Sequence, residues 1–174
     1  IVPLYTEEDA IQSLRHFRTL DYRQPMSVLP GVTCTFRDAG HVLGSAIVQL
    51  DIDRPPDRLR LVFSGDLGRR NMAILRDPEI PEPPDVLLLE TTYGDRLHSP
   101  MSGMEEQLAE VVNRTVARKE KILVPSFALE RTQEFVYALN RLTERRVIPP
   151  IPIYVDSPLS VRITEIFKLH PECF

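Results

Sequence analysis

The spacing of apolar residues divides the chain into a helical start, a strand-rich stretch and a long alternation of strands and helices. Ala10, Ile11, Leu14, Phe17 and Leu20 recur at roughly helical intervals. Thr6 followed by Asp9 is a capping-box-like start, and Glu7 and Glu8 suit the positive end of a helix. Pro25 and Pro30-Gly31 close this region. From Val32 the period shortens. Val32–Phe36, Ala46–Ile52 and Leu59–Phe63 read as strands, with Ala46, Val48, Leu50 and Ile52 expected on one face. Arg54-Pro55-Pro56-Asp57 is turn chemistry, so antiparallel pairing is predicted here.

Residues 67–84 carry Pro78, Pro81, Pro83 and Pro84 and predict an ordered surface loop. Val86–Leu89 is a short continuous apolar run, the pattern of a strand buried on both faces. Beyond it, helices are predicted around Met104–Thr115 and over Leu129–Leu142, and a third, capped by Ser157-Pro158, reaches about Leu169. Strands are predicted at Ile122–Val124 and Ile151–Val155 between them. Strand and helix in alternation imply βαβ units and a parallel sheet. The fold class expected is α/β.

Composition narrows the class. With 43% hydrophobic and 26% charged residues, the chain resembles a soluble globular protein rather than a disordered one. No apolar run approaches the roughly 18–20 residues of a membrane span, so a cytoplasmic protein without a membrane partner is expected. A net charge of -4 argues against nucleic-acid binding by bulk electrostatics. Only three of the 21 basic residues are lysine (Lys119, Lys121, Lys168), and a GC-rich genome explains that bias as well as phosphate binding does. Cys34 and Cys173 are too few and too far apart for a disulfide framework or zinc knuckle. The chain starts at Ile1 without Met and stops straight after its last predicted helix, which predicts a fragment of a longer protein.

Four segments hold residues able to do chemistry. Ala39-Gly40-His41-Val42-Leu43-Gly44-Ser45 and Ser64-Gly65-Asp66 each set an imidazole or carboxylate in a glycine-containing loop beside a predicted strand. Glycine lets such loops approach a metal or phosphate, and these are ligand types of hydrolytic zinc sites. Taken alone, a single His or Asp in a loop is far more often a turn or capping residue. In Leu89-Glu90-Thr91-Thr92-Tyr93-Gly94-Asp95, Glu90 is expected at the end of a buried strand, a common place for functional side chains. His98 reads as a surface residue near a helix start. Val124-Pro125-Ser126-Phe127-Ala128-Leu129-Glu130-Arg131-Thr132-Gln133-Glu134 is strand, loop and helix. Its helix N-terminus could take an anion, although Glu130 and Arg131 equally suit a solvated helix face.

The order of the four motifs closely resembles the β-CASP branch of the metallo-β-lactamase superfamily. Pro3-Leu4-Tyr5-Thr6-Glu7-Glu8-Asp9-Ala10 and Tyr154-Val155-Asp156-Ser157-Pro158-Leu159 also look like that branch, so the resemblance covers nearly the whole chain. It implies part of a metallo-β-lactamase αββα sandwich over residues 1–90, followed by part of a parallel-sheet β-CASP domain over 91–174. It implies that His41 is a ligand of one zinc and that Asp66 bridges two. Glu90 matches the acidic residue that supports a downstream histidine near the leaving group. Glu-Thr-Thr-Tyr-Gly-Asp looks more like the RNA-processing group than the DNA-repair group.

The sequence departs from that pattern by omission. The family's His-x-His-x-Asp-His cluster and its two later histidine motifs are absent, and His16 and His170 lie outside any motif. The resemblance implies a zinc-dependent ribonuclease in the intact protein, with RNA as partner and a fragment that is inactive and holds zinc weakly. Family members often dimerise, but no segment locates a homodimer interface. A small-molecule hydrolase of the same superfamily and a non-catalytic binding module stand as alternatives.

Overall fold

The computed structural model describes residues 3–97 and 103–173. The chain is α/β, with a mixed five-stranded sheet followed by three longer helices. Helix α1 (Glu7–Ser13) starts as its sequence dictates: the Thr6 hydroxyl accepts the Asp9 N–H at 3.2 Å, and the Asp9 carboxylate accepts the Thr6 N–H at 2.9 Å. It continues as a single 3₁₀ turn over Leu14–His16 and ends before Leu20. Ile11, Leu14 and Phe17 are exposed, so its apolar stripe has no packing partner among the described residues and propensity alone does not extend it.

Four strands form an antiparallel meander: β1 (Met26–Leu29), β2 (Val32–Asp38), β3 (Ala46–Arg54) and β4 (Asp57–Phe63). Strand β1 is absent from the sequence-based expectation. It is short, lies at the sheet edge and is bracketed by Pro25 and Pro30, which mask its pattern. Pro55-Pro56 makes the turn between the Arg54–Asp57 pair. Strand β5 (Val86–Leu88) adds to β4 in parallel, with Leu61 opposite Val86.

Two expectations fail here. Strand β5 is the last in the sheet, and Val86, Leu87, Leu88 and Leu89 are all exposed, so this apolar run is an edge strand and is not buried on both faces. Ala46, Val48, Leu50 and Ile52 share one face of β3, as expected, and are half-buried, while the opposite face of Ile47, Gln49 and Asp51 is the more deeply buried. On that face Ile47 packs with Ala39, Val62 and Leu67, and its polar neighbours Gln49 and Asp51 bond to each other. Gln49 Nε2 donates to Asp51 at 3.0 Å, and Arg60 Nε donates to Asp51 at 2.8 Å. Finally, residues 122–124 and 151–155 are not in strands. Leu123 and Tyr154 are almost fully exposed, and a parallel strand exists only where a neighbour supplies the ladder.

The 67–84 connection is ordered, as expected, but part of it is tucked inward: Ile74 and Leu75 are buried, and Glu79 N–H donates to the Asp38 carbonyl at 2.9 Å. Helices α2 (Met104–Ala117) and α3 (Arg131–Glu144) enclose a second core of Ala109, Val112, Leu139, Leu142 and Ile148. Each of these buried aliphatics larger than alanine contributes about 1.5–3 kcal/mol. Glu105 ties the pair through Arg141 at 3.3 Å and Arg145 at 2.8 Å. Helix α4 (Pro158–Leu169) is capped by Ser157, whose hydroxyl accepts the Ser160 N–H at 3.2 Å. The buried Gln133 amide reaches Thr164 of α4 at 3.0 Å, joining α3 to α4.

Candidate metal centre

His41 rides on a loop that closes on itself. At the end of β2, the buried Asp38 carboxylate accepts the Gly40 N–H at 2.8 Å. Burial pushes this carboxyl up, and the Gly40 N–H works against that rise. The Ser45 hydroxyl accepts the N–H groups of His41 and Val42 at 3.1 and 3.2 Å. Tyr22 donates its hydroxyl to the Ser45 carbonyl at 2.8 Å, pinning the far end. Gly40 and Gly44 take φ of +61° and +84°, which other residues adopt only at a cost. Sequence reading missed Asp38, Tyr22 and Ser45 as supports; the one available signal was the polar residues bracketing Gly40-His41.

Asp66 sits exposed on the loop that leaves β4. Two bonds hold this loop: Gly68 N–H donates to the Ala39 carbonyl at 2.8 Å, and Leu67 N–H donates to Glu90 Oε1 at 2.7 Å. The first joins the Asp66 loop directly to the His41 loop. The approach is so close that a Cβ on Gly68 would lie 1.5 Å from the Gly40 carbonyl oxygen and 2.6 Å from the His41 nitrogen. His41 and Asp66, 25 positions apart, are therefore carried by loops in backbone contact.

Glu90 follows β5 and is half-buried; it ends an exposed edge strand and not the buried one expected. Its N–H donates to the Ser64 hydroxyl at 3.0 Å, and the Ser64 N–H donates to the Leu88 carbonyl at 2.9 Å. The Leu67 N–H, followed by Thr92 and the nearby His41, holds the Glu90 carboxyl below the usual carboxylate range. Glu90 thus acts on the Asp66 loop as a charged acceptor. His98 lies outside the described residues.

An imidazole and a carboxylate are the right donor types for zinc. Among the described residues, however, no group of three or more His, Cys, Asp or Glu side chains comes together to hold a metal. A catalytic zinc takes about three protein ligands. His41 and Asp66 fall short of that number, so these residues alone do not complete a metal site.

Comparison with known proteins bears on the same residues. The Beta-Casp domain model matches residues 132–174. The chain is 37% identical over 165 residues to Ribonuclease TTHA0252 of Thermus thermophilus, a match covering 95% of this chain and 37% of that protein. It is 34% identical over 172 residues to Endoribonuclease YSH1 of Eremothecium gossypii, covering 96% of this chain and 22% of that protein. Residues 132–174 belong to the Beta-Casp domain family. Cleavage and polyadenylation specificity factor subunit 3-I of Arabidopsis thaliana is 31% identical over 169 residues, covering 96% of this chain and 24% of that protein. The chain therefore spans less than two-fifths of the length of these relatives. Their likeness runs through both the sheet with its loops and the helices.

The start of α3 departs from expectation. Glu130 is not on a solvated face; it is 2% exposed, with φ +68°. That conformation also sets the helix start at Arg131 instead of Leu129. A buried acidic residue at this helix end makes it a poor seat for an anion. Among the described residues, no helix is long and apolar enough to cross a membrane.

Proposed function

We propose that the whole protein hydrolyses RNA phosphodiester bonds, and that residues 1–90 and 91–174 supply parts of its metallo-β-lactamase and β-CASP portions. The observation that carries this reading is the junction of the His41 loop, the Asp66 loop and Glu90 through Gly68–Ala39 and Leu67–Glu90. The printed names of the relatives, ribonuclease and endoribonuclease, support RNA as the substrate class and a setting inside the cell where RNA is met.

In this reading His41 and Asp66 are donors to a zinc pair whose remaining ligands come from residues outside this sequence. Bound zinc supplies an activated water and stabilises charge developing on phosphate oxygens. The chain's own contribution is positional. Ser45 and Asp38 fix the loop that presents His41. Glu90 fixes the loop that presents Asp66 through the Leu67 N–H, which suits an outer-sphere orienting role better than direct metal binding. Residues 3–173 alone bind zinc weakly and do not cleave RNA, because two donors leave a metal with most of its water.

The test pairs zinc content with RNA cleavage in the full-length protein and in its Asp66→Ala variant. We expect stoichiometric zinc and metal-dependent cleavage in the first, and loss of both in the second. Cleavage that survives Asp66→Ala would remove the mechanism. Full zinc loading of the isolated 174-residue chain would show that other residues bind the metal.

A further inference from the structure

Beyond β5 the chain leaves Glu90 in two consecutive turns. Gly94 N–H donates to the Thr91 carbonyl at 2.9 Å, and Arg96 N–H donates to the Tyr93 carbonyl at 3.4 Å. The second turn brings Tyr93 and Arg96 together. The guanidinium carbon of Arg96 lies over the Tyr93 ring, 5.0 Å from its centre, within the range of a cation–π contact. Both groups are open to solvent, Tyr93 at 51% and the Arg96 side chain at 64%.

A second pair of the same kind shows how a structural one is used. Arg141 lies 5.9 Å from the Tyr137 ring centre, and its guanidinium also reaches Glu105 at 3.3 Å, which helps to tie α3 to α2. Among the described residues Arg96 ties no two elements together. Its ion-pair partner there is the adjacent Asp95, at 3.9 Å and 85% exposed, a pair worth little in water.

Position gives this pair a use. The turns start at the residue locked to the Asp66 loop: Leu67 N–H donates to Glu90 Oε1 at 2.7 Å, and Glu90 N–H donates to the Ser64 hydroxyl at 3.0 Å. Three residues span no more than about 11 Å even when extended, so the Tyr93 backbone stands within that reach of Glu90. Asp66 and Glu90 are carboxylates on a chain of net charge -4, and they repel an approaching polyanion. A strand that enters here needs a local cation and an uncharged hold. A guanidinium braced on an aromatic ring supplies both, because a base stacks on its plane.

We propose that Tyr93 and Arg96 form a stacking platform that seats one base of a single-stranded RNA beside the Asp66 and Glu90 loops. Arg96 presents its plane to the base, and Tyr93 braces it from behind. That the ligand is RNA rests on the proposed function, but the pairing of the two side chains does not. The bases of a duplex are already stacked on each other, so the platform selects unpaired RNA.

The test measures binding of a fluorescent single-stranded oligoribonucleotide by anisotropy, using the full-length protein in the Asp66→Ala background so that the RNA stays intact. We expect Tyr93→Ala to weaken binding about tenfold, as loss of one stacked base does, and Tyr93→Phe to keep it. Arg96→Lys keeps the charge without the plane and should weaken binding nearly as much. RNAs lacking the base at one position at a time should show a single position of about tenfold loss, and Tyr93→Ala should abolish that position's effect. In the cleaving protein Tyr93→Ala should raise KM about tenfold with little change in kcat. A merely structural role would not depend on which base is missing. Equal affinity in Tyr93→Ala and its parent, or the same position dependence in both, overturns the platform and leaves the proposed function standing. Binding with the expected pattern by a full-length native protein that does not cut RNA would sink the proposed function and leave the platform in place.

Discussion

Replacing Gly68 by alanine perturbs a point where the His41 and Asp66 loops share backbone contact. The new Cβ would lie 1.5 Å from the Gly40 carbonyl oxygen, whereas real Cβ contacts essentially never fall below 3.0 Å. One of the two loops must therefore retreat by about 1.5 Å. The atoms in the way are backbone, so no side-chain rotation relieves the clash. Forcing a methyl group into a packed site costs about 1–3 kcal/mol. Loss of the Gly68–Ala39 hydrogen bond adds about 1 kcal/mol. We expect Gly68→Ala to destabilise the full-length protein by about 2–4 kcal/mol in denaturant unfolding. Displacing His41 relative to Asp66 by such a distance should also reduce zinc content and lower RNA cleavage about 100-fold. Gly103→Ala is the control. Gly103, unlike Gly68, has positive φ (+87°), and nothing among the described residues lies within 4 Å of its Cβ position, so only a conformational cost of about 1–2 kcal/mol applies, with zinc unaffected. A Gly68→Ala protein matching the native one in stability, zinc content and cleavage would refute the idea that the two loops are held in register here.

Two further outcomes follow from charged groups beside the site. Glu90→Ala leaves the half-buried Leu67 N–H without its acceptor and should cost about 1–3 kcal/mol, with Glu90→Gln losing less because its amide oxygen still accepts. The native Glu90 carboxyl is held low, so its contribution is present above about pH 4.5 and is lost as pH falls through the lowered folded value; equal acid sensitivity in native and Glu90→Gln proteins would contradict this. Glu130 behaves in the opposite sense. Burial, then the nearby Glu134, pushes its carboxyl from 4.5 up to about 7, against the pull of Arg131. The folded protein then binds a proton that the unfolded chain has released, so stability falls as pH rises from about 4.5 to 7, by at most about 3 kcal/mol. Urea midpoints measured across that window should slope downward in the native protein and less so in Glu130→Gln; identical slopes would rule out the buried carboxyl as their source.

Features written within a few neighbouring residues were legible in the amino-acid sequence by itself. Thr6 with Asp9, and Ser157 ahead of Pro158 with the Ser160 N–H, set their helix starts through contacts three residues apart. The Arg54–Asp57 turn, with apolar residues on either side, makes the β3–β4 hairpin a local decision. His41, Asp66 and Glu90 stood out because glycine-flanked ligands and an acidic residue after an apolar run form local patterns. Tertiary structure alone decided how these residues combine. Glu90 meets Leu67 across 23 positions, and Gly68 meets Ala39 across 29. The same holds for burial. Val86–Leu88 is apolar throughout yet exposed, because it is an edge strand, and the buried Asp51 carboxylate finds its partners, Gln49 and Arg60, within the sheet. Hydrophobic periodicity reports what each residue would gain by burial. Whether it is buried, and against what, depends on which distant backbone or side chain arrives to cover it.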